Sequence, residues 1–284
     1  MKIPFNFGGL PKKYSSYQSS KIAVLPIPFD GTSTWIKGTD KGPRALIEAS
    51  GNMELYDIET DSEVYQKGIY TAPAIRANST KVMIKKGCDA TKKLLADDKF
   101  VVTLGGEHSI SLGPIMAHTE KYSHISVLHL DAHSDRRDTY EGDKYNHACV
   151  MARAQEHAKT IVSAGIRSMD VSEKKNIARD TIYYAKNIVG SDKWMGEAVE
   201  KLTENVYITI DLDVFDPSIM PATGTPEPGG LSWYQVLKLM RQVAEKKNIV
   251  GFDVVELCPD PRNKAPNFLA AKLAYTMLSY IFKK

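Results

Sequence analysis

The 284-residue sequence lacks a long apolar run, a cysteine-rich pattern and a strong net charge. No apolar stretch approaches the roughly 18 residues that a membrane helix needs. The first residues, MKIPFNFGGLPKK, contain prolines and glycines where a signal peptide needs an unbroken apolar stretch. Lys and Arg number 37 against 34 Asp and Glu, without the basic run that favours nucleic-acid binding. We therefore expect a cytoplasmic protein that binds a small molecule rather than a nucleic acid or a membrane.

The cysteines are Cys88, Cys149 and Cys258, and none belongs to a C-x-x-C motif. An odd number of widely spaced cysteines argues against a disulfide framework and against a structural zinc site. With 43% hydrophobic residues the chain is able to bury a large core, and α/β folds of this length are often single domains. We therefore expect reduced thiols and one domain over residues 1–284.

Short apolar or β-branched runs alternate with longer segments of helical periodicity. The helical segments include 42–57, 81–98, 232–247 and an apolar C-terminal stretch at 266–284. Apolar strands that alternate with helices predict a parallel sheet covered on both faces. The expected fold class is α/β: a three-layer α/β/α arrangement with a mostly parallel sheet of about eight strands. The predicted strands are 21–27, 69–75, 100–106, 124–131, 160–166, 181–185, 206–213 and 248–257.

Histidines and acids stand at the ends of several predicted strands, where parallel α/β sheets bind their ligands. The motif DAHSD contains Asp131, His133 and Asp135, and the run at 206–213 ends in a second acidic pair, Asp211 and Asp213. Because side chains alternate along an extended chain, we expect the members of each set to share one face. If the strands are neighbours, the two sets converge.

Converging carboxylates need a compensating cation, because like charges at short distance would force protonation. Two imidazoles and four carboxylates are too many ligands for one catalytic ion and suit a pair of ions bridged by Asp131 and Asp211. Oxygen-rich ligation without thiolates favours a hard ion such as Mn²⁺, although Zn²⁺, Co²⁺ and Ni²⁺ stay open. The predicted metal ligands are His108, Asp131, His133, Asp135, Asp211 and Asp213.

Simpler interpretations exist for each of these residues. An isolated D-x-H-x-D motif is equally explained by solvated acids and a helix cap, but two further polar strand ends favour a metal site. We expect Glu107 to cap the helix that begins near Ser109 rather than to bind an ion. His129 is either a satisfied core histidine or a partner of Asp131. His147, in a polar loop before a helix, is either structural or a proton shuttle.

The motifs resemble those of the ureohydrolases, the arginase and agmatinase family, over essentially the whole chain. The resemblance implies an arginase-like fold and two Mn²⁺ ions per subunit, held by the six ligands named above. It also implies that His147 is the proton-shuttling histidine and that Glu256 binds the substrate guanidinium. The matching stretches are GGEHS at 105–109, DAHSD at 131–135, DLDVFDP at 211–217, PATGTPEPGG at 221–230 and FDVVEL at 252–257.

The expected chemistry is hydrolysis of a guanidinium group. Two divalent ions lower the pKa of water, so hydroxide forms at the pH of the cytosol and attacks the guanidinium carbon. Glu256 pairs with the N–H groups of the guanidinium. Asp135 is the nearest relay for the proton that the departing amine needs, and His147 provides the route to solvent. The products are urea and a primary amine.

The loop before His147 bears on the choice of substrate. It reads DTYEGDKYNHA and lacks the S-G-N segment that holds the amino-acid head group in arginases. Glu141 and Asp143 favour a terminal ammonium over a carboxylate, unless they belong to an ordinary solvated loop. We therefore expect agmatine to be hydrolysed to urea and putrescine, with guanidinobutyrase or arginase activity as the alternative. The resemblance further implies a homotrimer or homohexamer.

Two rival classes stay open at this point. A structural metal-binding subunit without catalysis is usually recognised by a missing ligand, and none is missing here. A two-metal phosphoesterase also uses clustered Asp and His, but it needs a basic phosphate clamp. Arg136 and Arg137 are the only near candidates for such a clamp, and we expect them to be loop charges or ion-pair partners.

Overall fold

The computed structural model describes residues 3–177 and 181–283. Eight strands form one sheet in the order β2-β1-β3-β8-β7-β4-β5-β6, and each neighbouring pair is parallel. The predicted α/β class and strand number are confirmed, and the sheet is wholly parallel. The strands are β1 (Ile22–Ile27), β2 (Ile69–Thr71), β3 (Phe100–Gly105), β4 (Ile125–Leu130), β5 (Thr160–Ile166), β6 (Ile182–Tyr184), β7 (Asn205–Asp211) and β8 (Asn248–Val255).

Helices cover both faces of this sheet, which confirms the three-layer arrangement. The α-helices are α1 (Lys12–Ser15), α2 (Gly42–Ser50), α3 (Thr80–Ala96), α4 (Leu112–Lys121), α5 (Val150–Ala154), α6 (Ala185–Ile188), α7 (Lys193–Lys201), α8 (Trp233–Lys246) and α9 (Ala265–Phe282). One apolar core joins the sheet to α2, α7, α8 and α9. A second core joins the other face to α3, α4 and α5.

Short 3-10 helices connect several of these elements. They span Phe7–Gly9, Thr39–Lys41, Val64–Lys67, His108–Ser111, His147–Cys149, Val171–Asn176 and Leu212–Val214. No helix among the described residues is long and apolar enough to cross a membrane. The apolar helix α9 is instead packed into the core of the chain, where most of its residues are buried. A single domain over residues 1–284 stays a prediction.

Local sequence explains where two of the helices begin and end. Helix α8 begins with a capping box, in which the Ser232 hydroxyl accepts from the Gln235 backbone N–H and the Gln235 side chain accepts from the Ser232 backbone N–H. The segment 42–57 was predicted to be helical throughout, but α2 ends at Ser50. The prediction was wrong beyond that point because the chain turns at Gly51 and Asn52.

The four central strands of the sheet are β3, β8, β7 and β4, in this order. Because the strands are parallel, their carboxyl ends lie at one edge of the sheet. His108 follows β3, Glu256 follows β8, Asp211 ends β7 and Asp131 follows β4. The topology therefore brings together the polar strand ends that the sequence predicts to converge.

Gly106 lets the turn after β3 pass close to the neighbouring chain. A Cβ at this position would lie 2.0 Å from the Phe29 carbonyl oxygen, so the space is filled by backbone that cannot rotate away. The Gly106 carbonyl also accepts from the Glu256 N–H, at 2.8 Å. Gly106 therefore sets the distance between His108 and the end of β8.

We expect Gly106→Ala to destabilise the fold by about 1–3 kcal/mol, because the backbone must shift to relieve the overlap. Gly196→Ala is the matched control: Gly196 lies within α7, and an added Cβ there meets no atom within 4 Å. This control should be neutral or stabilising by about 0.5–1 kcal/mol. Urea unfolding measures both, and equal stabilities for the two variants would contradict the expectation.

Candidate metal centre

The DAHSD segment lies in a loop, not in a strand. Strand β4 ends at Leu130, so the strand alternation predicted to align Asp131, His133 and Asp135 is absent. The loop itself turns these side chains inward, and Asp135 adopts a left-handed φ of 51°. Since non-glycine residues rarely adopt this conformation, the surrounding contacts must hold it in place. The side chains converge as predicted, but for a different physical reason.

His108 is the centre of a first cluster of buried acids. Its Nδ1 lies 3.1 Å from a carboxylate oxygen of Asp131, 3.1 Å from one of Asp135 and 3.3 Å from one of Asp211. All four side chains are at most 8% exposed. The His108, Asp131 and Asp135 donor atoms are close enough to hold one metal ion, together with the neighbouring His129.

Asp131 also belongs to a second cluster. His133 Nδ1 lies 2.8 Å from Asp213 Oδ2 and 3.6 Å from Asp131 Oδ1, and these three residues form a second group with metal-binding geometry. Asp211 connects the clusters, because its Oδ1 accepts from the Asp213 N–H at 2.9 Å while its Oδ2 faces His108. The structure thus brings together all six predicted ligands, around a shared Asp131.

The hydrogen bonds of His108 leave its Nδ1 free to act as a ligand. The Thr209 hydroxyl donates to Asp253, at 2.7 Å, and therefore accepts from His108 Nε2–H, at 2.8 Å. In the neutral ring Nδ1 is then the unprotonated nitrogen, and it is buried without a hydrogen-bond partner among the described residues. A lone pair that faces three carboxylates is repelled unless a proton or a metal cation lies between them, so the donor set fits a metal ion.

The acids of the two clusters have opposed pKa shifts. Burial and the charges of Asp213 and Asp131 raise the pKa of Asp211 well above its usual range. Burial also raises the pKa of Asp213, with His133 acting against it. For Asp131, burial acts upward, but the charge of His129 and its hydrogen bonds to histidines outweigh it and lower the pKa. Burial lowers the pKa of His108 and of His133, but the neighbouring carboxylates outweigh it and raise both well above the usual value. A bound divalent cation would supply this compensating charge in place of the two ring protons.

Glu256 lies beside the clusters with one carboxylate oxygen engaged. Its Oε1 accepts from the His108 backbone N–H at 2.7 Å, and its φ is 64°. Burial and the neighbouring charge of Glu107 raise its pKa well above the usual range. Glu256 lines the cavity, and a cation beside it would lower this pKa and favour the charged carboxylate, so Glu256 is suited to pair with a cationic group.

Glu107 does not cap the helix as predicted. It occupies the position before the 3-10 helix, but its carboxylate accepts no N–H from that helix. The carboxylate instead accepts from the backbone N–H groups of Thr32 and Ser33 and from the Thr32 and Ser109 hydroxyls. The prediction was wrong because a loop that is distant in sequence supplies the donors. Glu107 therefore holds the segment around Thr32 against the site.

His147 depends on this same segment. The Thr32 hydroxyl donates to Glu107, so it accepts both from the His147 backbone N–H and from His147 Nδ1, each at 3.0 Å. Nδ1 is therefore the protonated nitrogen, and Nε2 is left to exchange a proton. The edge of the ring faces Tyr140, with 6.1 Å between the ring centres.

A cavity of about 310 Å³ opens over the clusters. Its wall carries more acids than bases, and Arg137 is the only Lys or Arg among the described lining residues. Arg137 is already paired, since it lies 3.6 Å from Asp170 and covers the Tyr140 ring at 4.6 Å. Among the described residues that line the cavity are the acids Asp170 and Glu173, whereas Glu141 and Asp143 are not among them.

Of the residues that support the ligands, the sequence pointed to His129 but not to the others. His129 does contact Asp131, with 2.7 Å between Nε2 and Oδ2, and it is also a satisfied core histidine. Arg136 is predicted to be a loop charge or an ion-pair partner; it does lie in the loop after β4, but it is only 1% exposed, and nothing in the sequence indicates this burial. The available signal was a polar residue inside an apolar strand, as for Thr209 in β7 and Asp253 in β8.

Comparison with known proteins assigns this chain and its fold to one class. The model of the arginase family matches residues 20–279. The N(1)-aminopropylagmatine ureohydrolase of Synechocystis is 37% identical, and the alignment covers 99% of this chain and 97% of that protein. The agmatinase of Pyrococcus horikoshii is 31% identical, with 90% of each chain covered. The crystal structure of the agmatine ureohydrolase of Thermoplasma volcanium superposes with a TM-score of 0.88 at 31% identity, covering 99% of this chain and 95% of that one.

The fold and site therefore define a hydrolase of the ureohydrolase type. The chain belongs to the arginase family. The resemblance and the enzyme class expected from the motifs are confirmed.

We expect Mn²⁺ to stabilise the chelator-treated protein, because an ion that binds only the folded state adds about 2.7 kcal/mol per site at a hundredfold excess over its Kd. Asp131→Asn should lose most of this gain, since both clusters share Asp131. Asp138→Asn, at an exposed acid paired with Arg153, is the matched control and should keep the gain. Thermal unfolding with and without Mn²⁺ measures it; an undiminished gain in Asp131→Asn would contradict the assignment.

Proposed function

We propose that this chain is a ureohydrolase with two metal ions, which releases urea from a guanidino amine of the agmatine type. The two clusters that share Asp131 carry this proposal, because they supply six oxygen and nitrogen donors at one edge of the sheet. Oxygen-rich ligation supports Mn²⁺ as the ion. The proposed ligands remain His108, Asp131, His133, Asp135, Asp211 and Asp213. A homotrimer or homohexamer is proposed from the family resemblance alone.

When bound, the ions would lower the pKa of water and so provide hydroxide near neutral pH. Glu256 binds the guanidinium through its carboxylate, whose Oε1 is fixed by the His108 N–H. Asp135 accepts the proton that is released on attack and passes it to the departing nitrogen. His147 exchanges protons with solvent through Nε2, because Thr32 holds its Nδ1.

The cavity supports a substrate with an amine at its distal end. Asp170 and Glu173 are lining acids, and the one arginine among the described lining residues is paired with Asp170, so no described lining residue offers a free Lys or Arg to a distal carboxylate. Agmatine, which the sequence predicts, meets this requirement. N(1)-aminopropylagmatine meets it as well, and the 37% identity to a ureohydrolase named for this compound favours it as the second candidate. Hydrolysis would yield putrescine from the first and the aminopropyl derivative of putrescine from the second.

A comparison of four guanidino compounds separates these candidates. We expect urea release, with Mn²⁺ restored after chelation, to be fastest with agmatine or N(1)-aminopropylagmatine. Arginine and 4-guanidinobutyrate should be poorer substrates by at least about tenfold in kcat/KM. Each carries a carboxylate that would lie beside the lining acids without a donor to pair with it. A higher kcat/KM for arginine or 4-guanidinobutyrate would contradict the proposed substrate class. No urea from any of the four would contradict the hydrolase itself.

Glu256→Gln tests the proposed guanidinium contact. The amide oxygen still accepts from the His108 N–H, but the charge-assisted pair with the substrate is lost. We expect kcat/KM to fall about 10- to 100-fold, the range of a charge-assisted hydrogen bond of about 1.5–3 kcal/mol, while Mn²⁺ binding is retained. Glu141→Gln, at an exposed acid outside the cavity, is the control and should leave kcat/KM unchanged. Equal kcat/KM for both variants would exclude Glu256 as the binding carboxylate.

A further inference from the structure

Arg136 is the largest fully buried side chain of the described residues, and the chemistry proposed above makes no use of it. Burial lowers its pKa to about 10, with Glu173 and Asp135 supplying the nearest opposing charges, so it stays a cation near neutral pH. Its Nη2 donates to the Ser163 hydroxyl at 3.2 Å, whereas Nε and Nη1 have no hydrogen-bond partner among the described residues. A buried cation with so few partners is unfavourable for stability, which points to another role.

The hydrogen bond to Ser163 fixes the direction of a chain of donors. A guanidinium donates only, so the Ser163 oxygen is the acceptor. Among the residues that the structure describes, the Ser163 hydrogen then has one acceptor within reach, His129 Nδ1, at 3.1 Å. His129 Nδ1 is therefore unprotonated, and the proton of the ring is on Nε2. This nitrogen lies 2.7 Å from Asp131 Oδ2, to which it donates.

The chain ends on the acid that both metal clusters share. Asp131 Oδ1 accepts from the His133 backbone N–H at 2.5 Å, while Oδ2 receives the His129 proton. The carboxylate is thus held on both oxygens, and its remaining lone pairs face His108 and His133. If the Ser163 hydroxyl were absent, the contact with Asp131 alone would favour the Nε2–H tautomer, and Nδ1 would lose the donor that fixes the ring.

We propose that Arg136 is a positioning residue: through Ser163 and His129 it fixes the tautomer and orientation that aim Asp131 at both metal ions. This inference rests on the proposed two-metal function and adds that a buried arginine, which contacts no metal ion, strengthens metal binding. Ser163 and His129 belong to adjacent strands, β5 and β4, paired directly at these two residues. The sheet therefore sets the distance between the two links, and the loop after β4 supplies the cation.

Isothermal titration calorimetry of Mn²⁺ binding tests this series of hydrogen bonds from Arg136 to Asp131 without relying on catalysis. Ser163→Ala removes the hydroxyl but no charge, and Arg136→Met removes the first donor. We expect each to weaken Mn²⁺ binding about tenfold, the lower range for lost partners of metal ligands. The double variant should bind Mn²⁺ no more weakly than the weaker-binding single variant, because both substitutions break the same series of hydrogen bonds. Arg153→Met is the control, because Arg153 is largely buried but takes no part in this series of hydrogen bonds. It should bind Mn²⁺ as the unaltered protein does.

Substitutions of His129 provide a second test of the same hydrogen bonds, which remains available if Arg136→Met fails to fold. His129→Gln keeps an N–H donor near Asp131, whereas His129→Leu removes it. We expect Gln to retain most of the Mn²⁺ affinity and Leu to lose at least about tenfold. Unchanged Mn²⁺ affinity in Ser163→Ala, or additive losses of affinity in the double variant, would contradict the proposed role of Arg136. If the unaltered protein binds no Mn²⁺, the proposed function fails first, and this distinguishes the two failures.

Discussion

The whole arrangement depends on repulsion among buried carboxylates at one edge of the sheet. Asp131, Asp135 and Asp211 all lie within 3.3 Å of one histidine nitrogen, and Asp213 is held beside them. Buried like charges at such distances are stable only with added positive charge or protonation. The raised pKa of Asp211, caused by burial and by the charges of Asp213 and Asp131, expresses this conflict, whereas the histidines lower the pKa of Asp131. Divalent ions would relieve it, so the same repulsion that destabilises the protein alone favours metal binding.

The parallel sheet is what makes such a concentration of charge possible. Its four central strands end at one edge, and eight apolar strands packed between two helical layers provide the rigid support. Asp135 and Glu256 both adopt left-handed φ values, which non-glycine residues keep only where the surroundings determine them. Behind the acids, the Thr209 hydroxyl accepts the Nε2 proton of His108, and the His129 ring donates its Nε2 proton to Asp131. The stable core therefore maintains a site that is locally strained.

The sequence predicted the layers, the strands and the six clustered residues, because hydrophobic periodicity and strand-end polarity are local signals. It did not predict how the cluster forms: Asp131 and Asp135 lie in a loop, where strand alternation does not apply. It also missed Glu107 as the anchor of the Thr32 segment and Arg136 as a buried cation. Both depend on contacts between segments far apart in sequence, and neither charge nor spacing along the chain reports such contacts.

The most direct test of the account is anomalous X-ray scattering from crystals of the protein soaked with Mn²⁺. Two peaks about 3.5–4 Å apart, both in contact with Asp131 and Asp211, would support the shared-carboxylate centre. One of the two should also contact His108 and the other His133. A single peak, or peaks outside this edge of the sheet, would contradict it.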